Sequence, residues 1–173
     1  KRVPAESFTP QHRGGKGIIG MVTRETDTVR FLLYTDTHDN LLFFTDRGRV
    51  FSIKCYEVPL DVSRISKGIS VINLIPLQER ERVTAVVDLK EFTQGWYLIL
   101  ATCNGEVKKI EVSSFSSVRS SGLLAMDLEK GDRLVSARLG SDEFDVLLVT
   151  QKGQSIRFPV RDIRTSLRAS GGV

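Results

Sequence analysis

The stretch "LLFFTDRGRVFSIK", residues 41–54, runs from four apolar residues through Thr45-Asp46-Arg47-Gly48 into a segment whose polar and apolar residues alternate. An apolar run, a short turn holding a glycine and an alternating run predict a β-hairpin, because the glycine supplies the positive φ that such a turn demands. The pattern returns twice, as "YLILATCNGEVKKIEV" (97–112) and "VLLVTQKGQSIRFPV" (146–160). Each copy carries Thr-x-x-Gly, at Thr45/Gly48, Thr102/Gly105 and Thr150/Gly153, and the glycines are 57 and 48 residues apart.

A second element recurs between the hairpins: "KGIIGM" (16–21), "KGISVI" (67–72) and "SGLLAM" (121–126), with "SGGV" at 170–173. The first three are followed by a polar stretch and a further strand-like run, "DTVRFLLYT", "ERVTAVVD" and "DRLVSARL". No stretch of ten or more residues sustains a helical period, so the class is all-β. A repeat of about 50 residues with four strands predicts blades packed around an axis, as in propellers. A β-sandwich is the competing architecture. In this register "KRVP" (1–4) lines up with "KKIE" (108–111) and "IRFP" (156–159). The chain therefore reads as one domain over 1–173, truncated at both ends. Its modules run roughly 1–15 (partial), 16–66, 67–120, 121–169 and 170–173 (partial). Blades without partner strands predict edge pairing between copies.

At 173 residues, 40% hydrophobic and 27% charged, the composition is that of a soluble globular domain with ample length for a core. No run approaches the roughly 18 apolar residues of a membrane span, and "KRVPAESFTP" has no signal-peptide core. Two cysteines, Cys55 and Cys103, make no disulfide framework, which favours a reduced, cytoplasmic setting. The net charge is only +4. Its distribution says more: Lys1, Arg2, Arg13 and Lys16 crowd one end, and Lys152, Arg157, Arg161, Arg164 and Arg168 the other.

Function turns on "QHRGGKG", residues 11–17. Glycines let backbone approach a ligand closely, and Arg13 and Lys16 select an anionic one. A solvated turn is the plain alternative. Four residues beyond each turn glycine stand Arg2 (by register), Ser52, Lys109 and Arg157, and the next residues, Val3, Ile53, Ile110 and Phe158, are all apolar. Neighbours on a strand point to opposite faces, so this pattern predicts cations at one height on successive blades. Arg47, Arg49, Lys54, Lys108, Arg64 and Lys67 add charge nearby. A merely solvated outer strand is the alternative here.

"QHRGGKG" resembles the gyrase-A box, usually Q-R-R-G-G-K/R-G, and departs from it only at His12. "THDNLLFFTDRGRVFSIKCYEVP" (37–59), "NGEVKKIEVSSF" (104–115) and "GQSIRFPVRDIR" (153–164) resemble modules of the same domain. Over essentially its whole length the chain is similar to the C-terminal DNA-wrapping domain of gyrase A proteins. The resemblance implies a six-bladed β-pinwheel, of which three to four blades are represented here, with strands exchanged between neighbouring repeats. It implies that duplex DNA wraps a basic rim through its phosphates and that a segment is presented for strand passage, so that DNA gyrase introduces negative supercoils using ATP. The box residues Gln11, His12, Arg13, Gly14, Gly15, Lys16 and Gly17 carry that role by resemblance. The implied partners are duplex DNA, the rest of gyrase A and the gyrase B subunit, in an A2B2 holoenzyme on the bacterial chromosome. No cofactor is expected in this domain, ATP and Mg being used elsewhere in the enzyme.

Other classes fit less well. The heptad lacks the Gly-x-x-x-x-Gly-Lys-Ser/Thr spacing of a nucleotide loop. No Gly-x-Ser-x-Gly elbow occurs, and His12 and His38 have no metal-ligand spacing with the cysteines. Tyr34, Tyr56 and Tyr97 lie in strand-like runs, and the resemblance implies that the DNA-cleaving tyrosine belongs to the N-terminal part of gyrase A, so no catalytic residue is expected here. A protein-binding propeller would offer exposed aromatics on a loop face. The C-terminal domain of the A-type subunit of topoisomerase IV is the nearer alternative, but it usually lacks an intact box.

Overall fold

The computed structural model describes residues 1–24 and 26–173, and Glu25, in the first module, lies outside them. The described residues form nine strands, five short 3-10 turns and no α-helix.

All three hairpins form. Strands β1 (Asn40–Thr45) and β2 (Arg49–Lys54) pair antiparallel with Phe43 opposite Phe51. β4 (Tyr97–Thr102) and β5 (Val107–Glu111) pair with Ile99 opposite Lys109. β8 (Asp145–Val149) and β9 (Ser155–Pro159) pair with Leu147 opposite Arg157. Their turns share one construction. The amides of Gly48, Gly105 and Gly153 donate to the carbonyls of Thr45, Thr102 and Thr150 at 3.0, 3.2 and 2.9 Å. The three glycines take φ of +70°, +97° and +85°. The threonine hydroxyls explain the rest of the motif: Thr102 and Thr150 each accept the amide four residues on, from Glu106 and Gln154, at 3.1 Å.

The 3-10 turns show the repeat register again. Ala5–Ser7, Cys55–Glu57, Val112–Phe115 and Val160–Asp162 each follow an extended residue, namely Pro4, Lys54, Glu111 and Pro159. These four occupy one place in the alignment of "KRVP", "KKIE" and "IRFP" with "SIK".

Sheets cross the repeat boundaries. β3 (Val83–Leu89) belongs to the second module yet pairs with β1 of the first, and β7 (Leu134–Gly140) of the third pairs with β4 of the second. The two-residue β6 (Leu123–Leu124) completes the first sheet beside β2. The sheets are thus β3-β1-β2-β6, β5-β4-β7 and β8-β9. Each hairpin strand presents alternate residues to its two sides. Leu42 and Phe44 enter the core between the first two sheets with Leu98, Leu100, Phe115 and Leu134, while Leu41 and Phe43 join Phe51 and Ile53 on the far side. Ile99, Val107, Val160 and Ile163 join the second sheet to the third hairpin. Beside them a cavity of about 820 Å³ lies between β4, β7 and β8.

Three expected strands differ. "KGIIGM" and "DTVRFLLYT" pair with no strand among the described residues, and "KGISVI" contributes the 3-10 turn Val71–Asn73. β3 and β7 show the reason. This repeat position forms a strand by pairing with the first strand of a preceding hairpin, and among the described residues no hairpin lies before 27–35. Its Val29, Leu32 and Tyr34 are exposed.

Candidate nucleic-acid interface

All seven residues of 11–17 are exposed. The Gly15 amide donates to the His12 carbonyl at 3.0 Å, closing a turn with Gly14 at its third position. Gly14 has φ +77° and Gly17 φ +73°, values that L side chains rarely adopt. Gly15 has less room instead: a Cβ there would lie 3.0 Å from Gln11 Oε1 and 3.1 Å from the His12 carbonyl, so its neighbours would have to shift slightly. The glycines therefore set the loop shape, and Arg13 and Lys16 project from it. Among the described residues neither cation is in an ion pair.

The strand cations fare differently, and here the expectation of a row at one height is corrected. Lys109 is 3% exposed. Its ammonium donates to Asp142 Oδ1 at 2.7 Å and the Val160 carbonyl at 3.3 Å, and it lies 4.5 Å from the Tyr97 ring centroid. Lys108 is 1% exposed and donates to the carbonyls of Ala125, Arg168 and Ser170. Arg49 pairs with the buried Glu81 at 2.8 Å and stacks over Phe51. At the Lys109 register, Arg2 Nε donates to the Val58 carbonyl, and Arg157 alone is well exposed, paired with Asp145 at 3.2 Å. The physical cause is coverage. Loops of later modules lie over β2 and β5, so both faces of those strands are packed, whereas β9 stays open.

Of the other candidates, Arg47 and Lys67 are exposed, Lys54 and Arg64 half-buried. Arg47 reaches Gln78 and the Glu79 carbonyl, and Lys54 the His38 carbonyl. Arg119 and Arg168 are not among the DNA-binding residues singled out from the sequence. Like Arg13 and Arg64, each stands in the loop between a 3-10 turn and the next glycine. That recurrence was the available signal. The arrangement offers cations and loop amides to an anion. Among the described residues no cluster of three or more His, Cys, Asp or Glu side chains could hold a metal ion.

Comparison with known proteins agrees with the fold. The family described as the DNA gyrase C-terminal domain, a beta-propeller, matches residues 1–36, 39–89, 97–141 and 145–173. The segments 39–89 and 97–141 each enclose one hairpin and the strand that crosses onto it. The gyrase A protein of Dehalogenimonas lykanthroporepellens is 51% identical over 173 residues, and that of Clostridium acetobutylicum 41%. Both alignments cover 100% of this chain and 21% of the relative, so the chain spans about a fifth of their length. A solved DNA gyrase A C-terminal domain superposes with a TM-score of 0.68 at 22% identity, covering 98% of this chain and 54% of that one. A C-terminal domain of DNA topoisomerase IV gives 0.72 at 27%, covering 79% and 42%. With two full hairpin-plus-strand blades and a third hairpin in the family's propeller arrangement, this chain belongs to the family of DNA gyrase C-terminal domains.

Proposed function

We propose that this chain binds duplex DNA through its phosphates and bends it along a basic rim. The observation that carries this reading is the exposed 11–17 loop, with Arg13 and Lys16 on a glycine-shaped turn and no ion pair among the described residues to neutralise them. Phosphate contacts position DNA without reading its sequence, which suits cations on loops rather than a helix in the major groove. Bending a short site by 40–90° costs on the order of 1–6 kcal/mol, so several contacts must act together. Arg47, Lys67, Arg157, Arg119 and Arg168 would supply further ones, while Lys108, Lys109 and Arg49 act inside the fold.

Within a complete gyrase, with the rest of gyrase A and with gyrase B, the bent segment would be presented for ATP-dependent strand passage on the bacterial chromosome. The gyrase A relatives at 51% and 41% identity and the box favour gyrase over topoisomerase IV. Replacing Gln11–Gly17 with alanines in the complete enzyme tests the assignment. Negative supercoiling should be lost while relaxation persists. Supercoiling at the unmodified rate would refute the role given to the loop.

A further inference from the structure

The position three residues beyond the turn glycine holds Lys1 (by register), Phe51, Lys108 and Ile156. In three of these four places a later loop lies over the side chain. Lys108 Nζ donates to the carbonyls of Ala125 at 3.0 Å, Arg168 at 2.5 Å and Ser170 at 2.6 Å. Lys1 Nζ donates to the carbonyls of Ser63 at 3.3 Å, Ser66 at 2.9 Å and Arg64. Phe51 instead packs its ring beneath Gly122, so closely that a Cβ there would collide with ring carbon Cε1. Two lysines, more than a hundred residues apart in sequence, therefore make one contact: an ammonium gripping the peptide carbonyls of an arginine-bearing loop, with the arginine's own carbonyl among the acceptors.

We propose that Lys108 is a positioning residue for the duplex, its ammonium fixing the loop that carries Arg168 so that this guanidinium is set for a phosphate; Lys1 makes the same grip on the Arg64 loop, where Arg64 Nη1 is itself buried. This rests on the phosphate-binding reading above. Stability alone does not account for a lysine here. Phe51 shows that an apolar side chain fills the same place, and an ammonium brought out of water is costly even when hydrogen-bonded. What the ammonium adds is a fixed set of three acceptors, and so one loop conformation. A loop ordered in advance spends less entropy when its arginine meets DNA. Lys108 cannot itself touch a phosphate, being 1% exposed, so any effect of its loss on DNA must act through the loop.

The test uses the 173-residue chain with Lys108→Met, Arg168→Gln and the double variant. Titration with a mixed-sequence duplex at several salt concentrations is joined to hydrogen exchange and thermal unfolding. Lys108→Met should bind about five- to tenfold more weakly and lower the log–log salt slope by about 0.9, one phosphate contact. The double variant should be no weaker than Arg168→Gln alone, because both changes remove one device. The amides of Ser166, Ser170 and Val173, which donate to the Lys109, Leu167 and Val107 carbonyls, should exchange faster, with the melting temperature unchanged or higher. Unchanged binding and exchange would overturn the proposal. So would a large fall in melting temperature, which would assign Lys108 to holding the fold together. If the unmodified chain binds no duplex, the phosphate reading fails and the purpose given to the clamp fails with it. Faster exchange in Lys108→Met would then still separate that outcome from failure of the clamp itself.

Discussion

Lys109 Nζ and Asp142 Oδ1 lie 2.7 Å apart, the lysine side chain 4% exposed and the aspartate 49%. The ion pair fastens β5 to the loop after β7 and takes out of solvent a cation that strand alternation alone would put on the rim. Lys109→Gln should therefore cost about 1.5–3 kcal/mol of stability, the range for hydrogen bonds to charged groups. It should leave the salt slope of DNA binding unchanged. Denaturant unfolding and duplex titration on one preparation check both halves, and a lowered slope at full stability would contradict the assignment.

Glu81 has a fully buried side chain that accepts from Thr45 Oγ1 at 2.7 Å, the Gln78 amide at 2.8 Å and Arg49 at 2.8 Å. It ties the first hairpin turn to the start of β3. Glu81→Ala should destabilise by about 3–5 kcal/mol, as expected when one partner of a buried pair is removed. Urea denaturation measures this. A loss under about 1 kcal/mol, typical of an exposed pair, would show that the network carries little.

Gly14→Ala and Gly17→Ala place a side chain at φ +77° and +73°. Alanine at positive φ costs more than the roughly 0.4–1 kcal/mol it returns through the unfolded chain. Because the loop is exposed and apart from the core, the loss should fall on its conformation. We expect weaker duplex binding with a melting temperature within about two degrees of the unmodified chain. Unchanged affinity in both variants would show that the loop shape is immaterial.

Burial pushes the Lys108 ammonium down from its ordinary 10.5 to about 8, while the Asp127 carboxylate pulls the other way. A cation whose folded pKa lies below its unfolded value opposes folding in full below about pH 8, and that opposition fades as pH rises towards 10.5. The stability of the unmodified chain relative to Lys108→Met should therefore climb across this window. Paired urea titrations of the two proteins at stepped pH isolate the effect. A flat difference would contradict it.

The hairpins were legible in the sequence because their signals are local. Thr102 and Gly105 share one turn hydrogen bond, and the alternation of β2 needs only its own six residues. The register of "KRVP" was legible for the same reason. The crossing of β3 onto β1 and of β6 onto β2 was legible only through the family resemblance, which implies exchanged strands, since repeat order alone does not say which module completes a sheet. The burial of Lys108, Lys109 and Arg49 was hidden. Alternation separates two faces but not a covered face from an open one, and the groups that cover them (Arg168, Asp142 and Glu81) are remote in sequence. The box loop was readable because its glycines and cations are contiguous.

The most direct test of the account is the salt dependence of duplex binding by the chain with and without Arg13→Gln and Lys16→Gln. Phosphate contacts release counterions, so each lost contact should lower the log–log slope by about 0.9, or about 1.8 for the pair. The account predicts that fall for mixed-sequence duplexes of any composition, with the melting temperature unchanged. An unchanged slope, or a loss confined to one DNA sequence, would contradict it.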